Sequence, residues 1–161
     1  MTINFILNGE DVAVQASVDA RLLDILRRNF KLLEVKTGCL SGKCGVCLVI
    51  FNGRVAPSCI IPAFRIRGSE IITIEGFSQT DEYQDIIQGL EATAVEFCGY
   101  CTSGKILVIS ALLDRIPRPN REEIFDAFQS LKCRCTEPES LLQWVMATAD
   151  IRQRRLYGRG V

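Results

Sequence analysis

Apolar and polar positions alternate with a period of two at the start of the chain. The segments INFIL (3–7) and DVAVQA (11–16) flank Asn8-Gly9, a strong signal for a two-residue hairpin. Leu22, Leu23, Ile25 and Leu26 then share one side of a short helix over RLLDILRRNF (21–30), with Asp19 as its expected N-cap. A β-rich run VCLVIF (46–51), the turn Asn52-Gly53 and a last strand EIITIEG (70–76) follow. Hairpin, helix, loop and returning strands predict a β-grasp arrangement.

From about Ser78 the period lengthens toward 3.6, with Gly76 at the join. The first two predicted helices run from Asp81 to Ala94 and from Thr102 to Arg115, the second stopped by Pro117 and Pro119. A third opens at Asn120, with Glu123 as its capping-box partner and Ile124, Phe128 and Leu131 as its apolar face. A fourth follows Thr136 and Pro138 and carries Leu141, Leu142, Val145, Met146 and Ala149 on one side. The expected class is α+β: a β-grasp domain over residues 1–77, then a four-helix bundle over residues 78–161.

The 161 residues allow one medium domain or two small ones, and 19 basic residues balance 19 acidic ones. That balance argues against nucleic acid or an anionic membrane as partner. The opening MTINFILNGEDVAV lacks a basic start followed by an apolar block, and the apolar stretch from Ile106 to Leu113 is too short to span a bilayer. The expected location is the cytoplasm.

Cysteine changes the picture most. There are 8 cysteines and no histidine, which excludes Ser-His and Cys-His nucleophile pairs, Rieske centres and Cys₂His₂ zinc. The cysteines fall in two sets, at positions 39, 44, 47 and 59 and at positions 98, 101, 133 and 135. In a reducing compartment such clustering reads as metal ligation before disulfides.

Cys39, Cys44, Cys47 and Cys59 have the C-x₄-C-x₂-C…C spacing of plant-type 2Fe–2S ferredoxins. Four thiolates around two irons carry about −2 charge oxidised and about −3 reduced, by formal counting. Backbone N–H groups wrapped tightly around the sulfurs stabilise that charge, and Gly38, Gly42 and Gly45 permit the wrapping. Lys36 and Lys43 either add positive charge or are solvated loop residues. A structural Cys₄ zinc site is the alternative, and the lone fourth ligand suits it poorly.

The second set, Cys98-Gly99-Tyr100-Cys101 and Cys133-Arg134-Cys135, falls in two interhelical loops that a bundle would bring to one end. Adjacent helix N-termini would favour a negative cluster. Zinc or a redox dithiol remains open for this set taken alone. Gly99 joins the other three glycines as cofactor-binding backbone.

VKTGCLSGKCGVC, GRVAPSC, FCGYCTSGKIL and CRCT together resemble the small iron–sulfur subunit of molybdenum hydroxylases of the xanthine dehydrogenase and aldehyde oxidase type. The resemblance spans nearly the whole chain. It implies a plant-type ferredoxin domain followed by a helical bundle, and two 2Fe–2S clusters. The cluster on Cys98, Cys101, Cys133 and Cys135 would be nearer the molybdenum, the one on Cys39, Cys44, Cys47 and Cys59 farther from it. It further implies a large partner subunit with a molybdenum-pterin cofactor, commonly a further subunit with FAD, and catalytic residues outside this chain. Electrons would pass from molybdenum through both clusters to FAD or another acceptor, with a purine such as xanthine as the nominal substrate. A stand-alone ferredoxin-like carrier and a structural zinc protein are the competing functions.

This chain departs from that family in having Phe97 where a pterin-contacting glutamine is usual, and Thr136-Glu137-Pro138 where Thr-Gly-Tyr is usual. Phe97 is either a change in pterin contact or plain core packing. Arg152, Arg154, Arg155 and Arg159 form either a solvated helix end or a docking tail, Trp144 reads as core, and Tyr100 either faces a partner or covers the second cluster.

Overall fold

The computed structural model describes residues 1–158, so Arg159 lies outside the described residues. Strands β1 (Thr2–Leu7) and β2 (Glu10–Gln15) pair antiparallel across the Asn8-Gly9 turn. Helix α1 (Leu22–Arg28) buries Leu22, Leu23, Ile25 and Leu26. Strands β3 (Leu48–Phe51) and β4 (Arg54–Pro57) form a second hairpin across Asn52-Gly53, and β5 (Glu70–Ile72) runs between the two hairpins. The sheet order is β2-β1-β5-β3-β4, with β5 parallel to β1 and antiparallel to β3. Inserting the last strand between the hairpins makes one sheet from two local units.

Five helices follow: α2 (Ile74–Phe77), α3 (Asp81–Thr93), α4 (Thr102–Arg115), α5 (Arg121–Phe128) and α6 (Pro138–Tyr157). One hydrophobic cluster fills the space between the sheet and α1, with Ile3, Phe5, Val49 and Ile71 among its members. The other joins Leu48, Ile50, Val55 and Ile72 to α4, α5 and α6, and α4 packs directly against β3 and β4. Every residue of α4 from Ser103 to Ser110 is buried, so α4 is the central helix of this half. Helices α3 and α6 lie side by side, held by Trp144 Nε1–H donating to Ile86 O at 2.8 Å and by a two-pronged bond of Arg155 to Asp85 at 2.7–2.9 Å. The class is mixed α+β, with a five-stranded sheet and six helices among the described residues.

Three local expectations are corrected. Asp19 does not cap α1: its carboxylate accepts from Ser17 Oγ, and the N-cap is Arg21, which a bridge to Pro62 holds extended. EIITIEG does not continue as strand to its end. Asn8 Oδ1 accepts the Thr73 N–H at 2.8 Å, β5 stops at Ile72, and the chain turns into α2. Met146 is exposed, and the buried face of α6 carries Trp144 and Thr148 beside Leu141, Val145 and Ala149. Strand β4 was not foreseen from the alternation.

The capping box at α5 is present: Asn120 Oδ1 accepts the Glu123 N–H at 3.0 Å, and the Glu123 carboxylate accepts the Asn120 N–H at 2.7 Å. Asn120→Ala is expected to destabilise the chain by about 1 kcal/mol, read as a lower urea midpoint at unchanged slope.

Candidate metal centres

The loop between α1 and β3 carries Cys39, Cys44 and Cys47, and a single 3₁₀ turn after β4 presents Cys59. Ser58 fixes that turn, its backbone N–H and its Oγ both donating to Cys47 O at 3.0 and 2.8 Å. The loop backbone points inward at sulfur. Cys39 Sγ accepts from the N–H groups of Ser41, Lys43 and Cys44 at 3.2–3.4 Å. Cys44 Sγ accepts from Cys39 at 3.4 Å, and Cys59 Sγ accepts from Gly42 at 3.3 Å. This nest of amides is what a polythiolate cluster needs around its negative charge.

The glycines of this loop have separate reasons. A Cβ at Gly38 would lie 2.7 Å from Cys44 Sγ, so the loop closes on sulfur only without a side chain there. Gly42 and Gly45 take φ values of +75° and +76°, and Gly99 in the second set takes +83°. Lys43 is exposed and Lys36 pairs with Glu34 at 3.3 Å; the first loop draws its positive potential from backbone, not from these ammonium groups.

In the second set Cys101 is the N-cap of α4, while Cys133 and Cys135 lie in the link between α5 and α6. Neighbouring thiols perturb one another's ionisation, Cys47 with Cys59 in the first set and Cys98 with Cys135, Cys101 with Cys133 and Cys133 with Cys135 in the second, while Cys39 and Cys44 exchange the N–H···S bonds given above. Among the described residues, no three of these groups crowd within reach of a single ion. Two thiolates per iron is the demand of a 2Fe–2S centre, whereas structural zinc gathers four around one ion. The donor set therefore fits diiron clusters.

Burial pushes the Cys47 and Cys101 thiols up to about 11, while the Ser41 hydroxyl and N–H draw Cys39 down to about 6. Each set thus runs from buried thiols out to an exposed edge, at Cys39 in the first and at Cys98 and Cys135 in the second. The buried thiols need a metal's charge to stay ionised near neutral pH.

The two sets touch. Lys132 N–H, next to Cys133, donates to Cys44 O at 3.1 Å, and Tyr100 OH, between Cys98 and Cys101, donates to Thr37 O. The Tyr100 hydroxyl thus links the two loops, a role beyond the two expected of it, and the residue remains half-exposed. Phe97 packs on Trp144 with ring centroids 5.1 Å apart, so core packing accounts for one of its faces. Its other surroundings line a cavity of about 740 Å³ between α2, α3 and the start of α4, shared with Ile74, Ile87 and Thr102. In the basic C-terminus, Arg152 pairs with Asp114 and Arg155 with Asp85, so neither is free to act as a docking tail.

Lys105 was missed. It is 1% exposed, its Nζ stands 4.0 Å from the Phe97 ring centroid, and it donates to Thr136 Oγ1. The signal in the sequence was a single charge inside TSGKILVISALL, an otherwise uncharged helix start.

Residues 5–70 match the 2Fe-2S iron-sulfur cluster binding domain, and residues 73–146 match a second, distinct 2Fe-2S binding domain. The chain is 47% identical over 138 residues to the nicotinate dehydrogenase small FeS subunit of Eubacterium barkeri, covering 84% of this chain and 87% of that one. It is 38% identical to a nicotinate dehydrogenase chain of Pseudomonas putida, covering 95% of this chain and 98% of that one. Quinoline 2-oxidoreductase from Pseudomonas putida 86 superposes with a TM-score of 0.87 at 28% identity over 98% of both chains. Aldehyde oxidoreductase from Desulfovibrio desulfuricans superposes at 0.83 and 35% identity over 94% of this chain but only 17% of that longer one. Two matched cluster-binding domains in this order, and relatives matched along nearly their full length, place the chain in the family of small iron–sulfur subunits of the molybdenum hydroxylases.

Proposed function

We propose that this chain is the electron-relay subunit of a molybdenum-dependent hydroxylase, holding two 2Fe–2S clusters and no catalytic residue. In the first centre Cys39 and Cys44 hold one iron and Cys47 and Cys59 the other. In the second centre Cys98 and Cys135 hold one iron, and Cys101 and Cys133 the other. Gly38, Gly42, Gly45 and Gly99 leave the backbone free to approach them. Each centre, when bound, supplies a site for one electron at a time. The observation that carries the relay is the Lys132 N–H to Cys44 O bond, which joins the two ligand loops by covalent bonds and one 3.1 Å contact. A zinc scaffold needs no such link between its sites.

Residues 1–77 act as the ferredoxin domain and 78–161 as the second, with α3, α4, α5 and α6 as its four-helix bundle. A large subunit with the molybdenum-pterin cofactor meets the face around Cys98 and the cavity beside Phe97, and a further subunit carries FAD. The complex works in the cytoplasm; no helix among the described residues is long and apolar enough to cross a membrane. Phe97 offers the pterin no hydrogen bond, so the usual amide contact is absent from this chain.

Relatives named for nicotinate and isoquinoline, at 47% and 40% identity, favour a pyridine-type ring with a single nitrogen as substrate over the nominal purine. Purifying the native complex without air tests the assignment. The expected result is co-purification with a larger molybdenum-containing chain, four irons per small chain from its two 2Fe–2S domains, and two distinct EPR signals on reduction. A monomer free of molybdenum would instead mark a ferredoxin-like carrier. Zinc in place of iron, with no visible absorption, would mark a scaffold.

A further inference from the structure

Lys105 lies in the first turn and a half of α4, among residues buried on every side. Its ammonium touches the Phe97 ring on one side and Thr136 Oγ1 on the other, and Thr136 Oγ1 is itself 3.4 Å from Cys133 Sγ. Its positive charge favours the thiolate forms of Cys101, Cys98 and Cys133. No carboxylate among the described residues pairs with it. An ammonium buried without an anion is strongly unfavourable, and a ring face and one hydroxyl offset only part of that. The anion that completes the site is the thiolate cluster beside it.

We propose that Lys105 is the built-in counter-charge of the second diiron centre, and that its buried ammonium, seated on Phe97 and Thr136, raises that centre's reduction potential. The inference rests on the assignment of Cys98, Cys101, Cys133 and Cys135 as the ligands. An electron added to the centre makes it more negative, and a fixed cation at this distance stabilises the reduced form more than the oxidised one. The same cation acts weakly on the first centre, which faces backbone amides instead. Phe97, which departs from the family pattern, and Thr136, which keeps it, are thereby given one shared role: they hold a charge, and Phe97 does so in place of a pterin contact. Lys105 is a positioning and tuning residue, not a catalytic one.

The test is a redox titration of the intact complex, followed by EPR, for wild type, Lys105→Met and Lys105→Arg. With iron content unchanged, Lys105→Met is expected to lower the potential of one signal only. At fixed poise the reduced-to-oxidised ratio should fall at least tenfold, about 59 mV for one electron. Lys105→Arg should restore most of it. Both signals unmoved, both moved equally, or an arginine variant that behaves like methionine would each overturn the proposal. A second measurement uses the iron-free full chain, where the charge has no anion: Lys105→Met should raise its urea midpoint. If the methionine variant fails to load the second centre, this comparison decides, and a midpoint at or below wild type overturns the role. Failure of the ligand assignment is seen separately, as both signals surviving Cys101→Ala in otherwise wild-type protein.

Discussion

Cys101→Ala is expected to remove one of the two EPR signals and halve the iron from four to two per chain, leaving the other signal unchanged. Cys101 is buried at the N-cap of α4, paired with Cys133, and alanine offers no donor to the iron those two thiols would share. Cys59→Ala is the counterpart in the first set, where Cys59 is buried against Cys47. It should delete the other signal and leave the first. Because electrons have to cross both centres in turn, the relay is serial. Either substitution should therefore lower turnover with an external acceptor by at least about a hundredfold (roughly 2.7 kcal/mol of barrier), although the catalytic site lies on another chain. A parallel arrangement would instead leave one variant near half activity. Retention of four irons in Cys101→Ala would refute the ligand set. Removing the second centre also strips Lys105 of its anion, so Cys101→Ala should lower stability more than Cys59→Ala does.

What the sequence made legible was local chemistry. The cysteine spacing, the Asn8-Gly9 hairpin, the Asn52-Gly53 turn, the Asn120 capping box and the limits of α4 all depend on residues a few positions apart, and all are found where they were expected. What it hid was set by distant partners. Asp19 has the chemistry of an N-cap, yet the bridge from Arg21 to Pro62 decides where α1 starts. EIITIEG alternates like a strand through its whole length, but Asn8 captures the Thr73 N–H and stops it. The hydrophobic face of α6 was misjudged at Met146 because a helix of twenty residues with scattered apolar positions fits more than one stripe; contact with α3 chooses the one with Trp144. Likewise the proposed sharing of one iron by Cys98 and Cys135 and of the other by Cys101 and Cys133 rests on the start of α4 meeting the link between α5 and α6, which spacing cannot reveal. Lys105 is the sharpest case. A lysine early in a helix reads as solvent-facing until the neighbours on every side are known.

Gly45→Ala is expected to destabilise the chain by about 2–5 kcal/mol, because two penalties fall on one methyl group. Its φ of +76° places an L side chain in the left-handed region, worth roughly 1–2 kcal/mol. Its Cβ would then lie 2.8 Å from Ser130 O and 3.2 Å from Leu131 Cα, both backbone atoms that a rotamer change cannot move. Opposite it, a Cβ at Gly104 would come within 2.5 Å of Gly45 O, so the first thiol loop, the start of α4 and the turn after α5 are held backbone to backbone. Gly53→Ala is the control. Gly53 has the same φ of +76° but nothing within 4 Å of its Cβ, so it should show the conformational penalty alone, about 1–2 kcal/mol. The difference between the two urea titrations isolates the crowding between the loops, about 1–3 kcal/mol. The alanine at position 45 also pushes against the turn that carries the Lys132 N–H, and lengthening its bond to Cys44 O should slow electron exchange between the centres while each keeps its own EPR signal. Equal losses for the two variants, with an unaltered exchange rate, would show that the loops are not held together at Gly45.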